Sequence, residues 1–303
     1  MRYLVFDISN MLYRTFFAQK NEDDRTIAGL ATHVALTTLN KYYKRFKPDK
    51  VVMAFDRSSW RKDYTASKKC VSKKPYKGNR RKDMSPAQQA KYQRFLNHLS
   101  EFETLITKHT TIITLAGKGL EADDLIAGFA QIYNDADNEI IIISSDSDLL
   151  QLMKYENVRI ISPATDKEAT LDEWDNDPEL FLFFKCMKGD STDNVQSALP
   201  RVSKPRLRKA YKDPFERVQL MKEAWSDHNG REFIVENLYN ENRTLIDLEK
   251  QPPEIRRQIL TTVEEEVTRD KKFVFFFLMK YLGKYDLKKI EQNLDPYLPM
   301  LSN

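Results

Sequence analysis

The chain has 303 residues, 41% of them hydrophobic and 31% charged, and a formal net charge of +4. That is enough apolar material for one large globular domain or two, it excludes a disordered chain, and no apolar run approaches the roughly 18–20 residues that cross a bilayer, so no membrane association is expected. Cys70 and Cys186 offer neither a disulfide framework nor zinc spacing, the eight glycines form no phosphate-cradling motif, and MRYLVFDIS runs into a strand pattern without an export signal, so a reducing, cytoplasmic location is expected.

Tyr3 to Asp7 reads as a buried strand. Thr26 to Phe46 carries Ile27, Leu30, Ala31, Val34, Ala35, Thr38, Leu39 and Tyr42 at helical spacing. Lys50 to Asp56 is a second strand. Ser85 and Pro86 are a good cap and first-turn pair for a helix running to about Lys108. Thr111 to Leu115 is a third strand, and Glu121 opens a helix through Tyr133. Glu139 to Ser145 is a near-continuous apolar run, the pattern of a central parallel strand buried on both faces. Asp146 to Met153 is expected as a helix and Val158 to Ser162 as a strand. Beyond about Asp172 the strand patterns stop. Segments near 178–188, 214–225, 231–250, 253–268 and 270–282 read as helices, punctuated by Pro178, Pro214, Pro252 and Pro253.

Alternating strands and helices predict an α/β fold, a mainly parallel sheet flanked by helices, followed by a smaller helical C-terminal domain. The division is expected at 1–172 and 173–303. In such sheets ligands bind beyond the carboxyl ends of the strands. Asp7, Asp56 and Asp146 fall at those ends.

Carboxylates recur at the junctions between elements: Asp7 in YLVFDIS, Asp56 in VVMAFD, Glu121, Asp123 and Asp124 in GLEADD, Asp146 and Asp148 in IIISSDSD, and Asp190 and Asp193 in KGDSTDN. Each motif alone has an ordinary reading as a helix cap, a dipole complement or an Asx turn. Their shared placement argues for a divalent-metal site, because crowding acids is costly and hard cations take oxygen ligands. Two such ions about 3.5–4 Å apart meet the needs of phosphodiester hydrolysis without a protein base. His33, His98, His109 and His228 match no ligand spacing and read as structural or surface residues.

The charge is segregated. From Arg57 to Lys82 there are eleven basic residues and one acid; from Arg201 to Lys212 there are six basic residues and none acidic. The rest of the chain is therefore net acidic, and two basic segments beside an acidic body suggest a phosphate backbone as partner. Within the first segment, Lys77 and Arg80 of YKGNR are candidate donors to a phosphate, Gly78 permits close backbone approach, and Tyr76 offers a ring to a base.

Taken in order, Asp7, Asp56, Glu-Ala-Asp-Asp, Ser-Asp-Ser-Asp, Gly-Asp-x-x-Asp-Asn and Tyr-Lys-Gly-Asn-Arg resemble the 5′-nuclease (flap endonuclease) family, closest to its T-even-phage ribonuclease H branch of 5′-to-3′ exonucleases. The resemblance covers residues 1 to about 212. It implies a PIN-like core and a basic helical arch over about 58–95, mobile without DNA. It implies two Mg²⁺ ions, with Mn²⁺ as a substitute. Asp123, Asp146 and Asp148 would hold the first, with Asp124 in the same motif and with Asp7, Asp56 and Glu121 acting through its waters. Asp190 and Asp193 would hold the second. Lys77 and Arg80 would act with Asp146 and Asp148 at the scissile phosphate. Arg14, Tyr76, Arg81, Arg201, Lys204, Arg206, Arg208 and Lys209 would contact nucleic acid. The implied substrates are DNA with a 5′ flap, nicked or forked duplex, and RNA–DNA hybrid, as in primer removal during replication. A single-stranded-DNA-binding protein or polymerase clamp is the implied protein partner. A monomer is implied, in the host cytoplasm if the chain is phage-encoded.

Two departures stand out. The family's Gly-Ile-Gly hairpin, often with K⁺, is replaced by Ala198-Leu-Pro-Arg-Val-Ser-Lys-Pro-Arg206, whose basic residues are expected to grip duplex instead. Asp7 also lies so close to Met1 that no clamp-docking N-terminal tail is expected. A PIN-like ribonuclease on single-stranded RNA shares the acidic sheet ends but lacks the arch and the Gly-Asp-x-x-Asp-Asn region. A non-catalytic DNA-binding scaffold would not need so many carboxylates.

Overall fold

A computed structural model describes residues 1–18, 23–80 and 84–302. The first part alternates β1 (Arg2–Asp7), α1 (Ile8–Ala18), α2 (Asp24–Phe46), β2 (Lys50–Ala54), α3 (Trp60–Ala66), α4 (Pro86–His109), β3 (Ile113–Leu115), α5 (Ala122–Ile132), β4 (Glu139–Ile143), a 3₁₀ helix (Ser147–Lys154), β5 (Val158–Ser162) and β6 (Lys167–Glu168). The second part is α6 (Pro178–Lys188), α7 (Lys204–Lys212), α8 (Pro214–Met221), the hairpin β7 (Ala224–Ser226) and β8 (Glu232–Ile234), α9 (Val235–Ile246), α10 (Pro253–Thr268), α11 (Phe275–Lys284), α12 (Lys288–Glu291) and α13 (Leu298–Ser302).

The main sheet has the order β3-β2-β1-β4-β5-β6. Its strands are parallel except for the short β6. Side chains alternate strictly between two cores, as a strand's period of two requires. Leu4, Phe6, Met53, Ile141 and Ile143 face α1, α2, α4 and the C-terminal helices α11 to α13. Tyr3, Val5, Val52, Ile140 and Ile142 face α5 and α10. The near-continuous Ile run of β4 follows from burial on both faces. At Gly128 in α5 a Cβ would lie 2.4 Å from Ile259 Cγ2 of α10, so glycine is what lets those helices approach.

The cores divide differently from the sequence. Residues 180–246 form a third core of their own, joined by Tyr76 from the basic segment. The helices after residue 250 return to the sheet and complete both of its faces. The part after residue 172 is therefore not one separate body.

Four local differences have readable causes. The 3₁₀ helix stands where an α-helix was expected, with Asp146 as its cap, accepting from Asp148 N at 2.9 Å. A hairpin interrupts the expected helices 214–225 and 231–250. Its turn is set by Asp227, which accepts from Asn229 N and Arg231 N, and by Gly230 at φ +76. The basic stretch 204–212 is a helix, with Ser203 as N-cap and a proline in its first turn. The segment expected as an arch opens in α3 and closes into α4. Residues 67–80 between them run in turns pinned to the third core rather than standing free.

His98, 3% exposed, lies inside the first core. Its Nε2 is 3.3 Å from Thr32 Oγ1, and its Nδ1 has no partner among the described residues. Burial pushes its pKa down from 6.5 to about 4. Between those values the unfolded chain binds the extra proton, so stability is intact above pH 6.5 and falls as pH drops towards 4. The expected loss is roughly 3 kcal/mol. Urea unfolding of wild type and His98→Phe at pH 7 and pH 4.5 checks this; the variant should lose markedly less over that interval.

Candidate active site

The acidic residues meet where the topology predicts, beyond the carboxyl ends of β1, β2 and β4. Asp7 ends β1. Its Oδ1 accepts from Asn10 N at 3.2 Å and its Oδ2 from Ser144 Oγ at 3.0 Å. Ser144 Oγ in turn accepts from Asp146 N at 3.0 Å, so one hydroxyl ties the ends of β1 and β4 together. Asp56 follows β2. Its backbone N–H donates to Ser9 Oγ at 2.8 Å and its Oδ1 accepts from Ala122 N at 2.8 Å, which fixes it against the start of α5.

Glu121 and Asp123 open α5, and Asp146 and Asp148 open the 3₁₀ helix. Asp190 and Asp193 lie in a tight loop after α6. Gly189 at φ +67 starts that loop, and a Cβ there would meet Val195 O at 2.5 Å. Asp190 Oδ1 accepts from Thr192 N at 2.8 Å and from Thr192 Oγ1 at 2.5 Å.

These groups are not electrically alike. Burial, then the charges of Asp56 and Asp146, pushes the Asp7 carboxyl up to about 7. Burial, with Asp124 and Glu121 adding to it, lifts Asp123 well above the usual carboxylate range in spite of Arg61. Asp148 is raised by enclosure and by Asp146, against Lys185. Glu121 runs the other way: burial opposes its charge, but Arg61 and Lys77 hold it down to about 2. An edge on which several carboxyls resist ionisation is short of positive charge. Its donors are oxygens, as a hard divalent cation requires.

The basic segment closes over this edge. Lys77 Nζ lies 2.5 Å from Glu121 Oε1 and 3.7 Å from Asp193 Oδ2, and Arg80 pairs with Asp193 Oδ1. Residues 2–177 match the family described as the 5′-3′ exonuclease, N-terminal resolvase-like domain. The chain belongs to that family. It is a 5′ nuclease, a hydrolase. It is 24% identical to ribonuclease H of Enterobacteria phage T4 over 267 residues, 84% of each chain. To the 5′-3′ exonuclease of Aquifex aeolicus it is 29% identical over 198 residues, 63% of this chain and 62% of that one. To DNA polymerase I of Caldicellulosiruptor bescii it is 28% identical over 212 residues, 64% of this chain but only 22% of the polymerase. The flap endonuclease of bacteriophage T5, crystallised as a pseudo-enzyme-product complex with DNA and metal ions, shares the fold. Its TM-score is 0.62 at 17% identity, covering 89% of this chain and all of that one.

The structure adds to the sequence-based site map at four places. Asp124 lies within 4.8 Å of Glu121 and Asp123, yet its oxygens are committed elsewhere. They accept from Arg61 Nη2 at 2.8 Å, Arg61 Nη1 at 2.9 Å and Trp60 Nε1 at 3.1 Å, with no exposure to solvent. In this arrangement Asp124 serves the buried ion network around Arg61. Tyr76 is buried at 5% exposure with its hydroxyl on Asp193 at 2.7 Å, so its ring is not available for stacking. Gly78 makes its close approach to Pro75 of its own turn. The cations of α7 have exposed acidic neighbours: Lys204 pairs with Glu173, Arg206 with Glu223, Arg208 with Asp175 and Lys209 with Glu216. Arg201, at φ +60, is exposed just before them in the chain. Arg14 lines, with Asp7, Asn10 and Ser144, a cavity of about 170 Å³. Arg81 lies outside the described residues.

Two cations were missed. Lys185 of α6 pairs with Asp148 and lies 3.4 Å from Asp190. A lone lysine on the inner side of ELFLFFKCMK was the available signal. Arg61 is 1% exposed and bonds Glu121, Asp124 and the carbonyl of Leu245, at 2.7 Å for the last. Nothing local in the sequence marks it. Removing one member of a buried ion network strands the others. Arg61→Met is therefore expected to lower unfolding free energy by about 3–5 kcal/mol, measured by equilibrium denaturation; a loss below about 1 kcal/mol would refute its role.

Proposed function

We propose that this nuclease is a Mg²⁺-dependent 5′-to-3′ exonuclease and flap endonuclease that removes RNA primers and 5′ flaps during replication. The observation that carries the reading is the acidic edge of the sheet with Lys77 and Arg80 folded over it. The printed names of the T4 ribonuclease H and the T5 flap endonuclease support the substrate class.

Asp123, Asp146 and Asp148 would hold one cation, with Asp7, Asp56 and Glu121 around it. Asp190 and Asp193 would serve a second, and Mn²⁺ would substitute. When bound, such ions neutralise charge at the phosphate and acidify water near it. The chain's own residues do the rest. Lys77, paired with Glu121, would meet a phosphate that reaches the carboxylates, its amine leaving Glu121 to do so. Arg80 offers a planar fork to a neighbouring phosphate oxygen. The Ser144 hydroxyl keeps the Asp7 and Asp146 sides of the edge at fixed spacing. Arg14 bounds the cavity on the Asp7 side and supplies a cation there. Single-stranded-DNA-binding protein or polymerase clamp remain the protein partners proposed, and a monomer the proposed state.

Asp146→Ala is expected to lower cleavage at least about 100-fold while retaining affinity for a flapped duplex, since losing a carboxylate lessens repulsion of phosphate. Gel-shift and single-turnover assays read the two; wild-type turnover in the variant would end the metal assignment. Lys77→Ala should reduce kcat by about 10–100-fold with Kd changed far less, and equal loss in both would make it a general electrostatic contact. The substrate class is tested by mapping products from a 5′-labelled flap, an RNA-primed duplex and single-stranded RNA, with Mg²⁺ and with chelator. Cleavage of the single-stranded RNA alone would favour the PIN-like ribonuclease reading.

A further inference from the structure

Glu241 lies on α9, beyond the residues that match the family. It is 4% exposed. Its carboxylate accepts the backbone N–H groups of two consecutive residues of the basic segment, Val71 and Ser72, the latter at 3.1 Å. No lysine or arginine among the described residues forms an ion pair with it. Burying a carboxylate without a counter-charge is costly unless strong hydrogen bonds offset it. Here the offset comes from the backbone of another part of the chain, through charge-assisted bonds to adjacent N–H groups.

The path onward from Ser72 is short and determined. Tyr76 N donates to Thr65 Oγ1 at 3.0 Å, Asn194 Nδ2 to Pro75 O at 2.8 Å and Lys77 N to Asp193 O at 2.8 Å. Lys77 itself is held at φ 54, an uncommon left-handed conformation for a residue with a side chain. The next residue of α9 serves the facing loop. Asn242, fully buried, donates to Cys186 O at 2.7 Å and Gln196 O at 2.8 Å, on either side of Asp190 and Asp193. Two successive side chains of one helix thus hold the two segments that meet over the acidic edge.

We propose that Glu241 is a positioning residue for the reaction: it anchors the basic segment at Val71 and Ser72, so that Lys77 and Arg80 stand over the carboxylates. This rests on the reading of Lys77 as the group that meets the phosphate. A purely structural Glu241 would lower stability without singling out Lys77.

The test is a double-mutant cycle on the full chain with Glu241→Gln and Lys77→Ala, together with trypsin nicking after Lys68, Lys69 and Lys73. Glu241→Gln is expected to cut single-turnover kcat on a 5′-flap substrate about tenfold with Lys77 present and less than about twofold in the Lys77→Ala background. DNA affinity should hold, and nicking of the segment should accelerate. Equal kcat losses in both backgrounds, or unchanged nicking in folded Glu241→Gln protein, would overturn the proposal. If Lys77→Ala alone leaves kcat intact, the reading of Lys77 fails, and the nicking rate still decides whether Glu241 anchors the segment. Should Glu241→Gln not fold, Glu241→Asp, which keeps the charge at shorter reach, is read against the same outcomes.

Discussion

One buried guanidinium makes the acidic edge foldable. Arg61 donates to Glu121 and to both oxygens of Asp124, and its Nε–H reaches the Leu245 carbonyl at the end of α9. It therefore spans three things at once: the start of α5, the start of the basic segment and the helical unit. Carboxylates gathered at a sheet edge repel one another and lose hydration. A permanent charge that cannot be deprotonated and that presents a planar fork is suited to compensating them. A lysine would supply the charge but not the four simultaneous bonds. The price of this arrangement is that two of the acids, Asp124 and Glu121, are held by structure before any substrate arrives.

The strictness of the sheet determines what is left over. β1, β2 and β4 lie side by side and in register, so their last residues stand in a row. Asp7 and Asp146 are then brought to one spot by backbone geometry, and Ser144 ties them there. The side chains of the same strands fill two apolar cores that the C-terminal helices finish. Among the described residues, no side chain of those helices is hydrogen-bonded or ion-paired to a carboxylate of the edge. They stiffen the sheet whose ends compose it.

What the sequence made legible follows this division. Strand ends and helix starts carry strong local signals, so the parallel sheet and the positions of Asp7, Asp56, Glu121, Asp123, Asp146 and Asp148 could be read directly. The partnership of Arg61 with Asp124 could not, because the two are far apart in the chain and each has an unremarkable neighbourhood. Asp124 and Asp123 are adjacent in an acidic motif, and only burial separates their roles. The return of α10 to α5 was likewise hidden, since an apolar helix stripe does not say which surface it covers. The hairpin turn at Asp227 to Arg231 and the cap at Ser203 were legible in principle: an Asp-His-Asn-Gly turn and a Ser-Lys-Pro helix start are ordinary signals. The density of lysine and arginine drew the reading of 201–212 toward charge and away from structure.

The charges in the site also rank its two acidic sets. Asp190 already has compensation: burial opposes its ionisation, but the Thr192 hydroxyl and amide and Lys185 hold its carboxyl below the usual range. Asp193 has Arg80 and the Tyr76 hydroxyl. Asp7 has the Asn10 amide and the Ser144 hydroxyl but no cation paired with it among the described residues, Asp123 stays raised in spite of Arg61 and Lys77, and Asp148 has Lys185 alone among the described side chains. The unmet demand for positive charge is thus concentrated at the ends of β1 and β4 and the start of α5, while the loop after α6 is close to balanced by the chain's own cations. A cation is more strongly called for at the first set. At the second, Lys185 and Arg80 must give way before another positive charge gains by entering, and both of those side chains are long enough to turn toward a phosphate when they do.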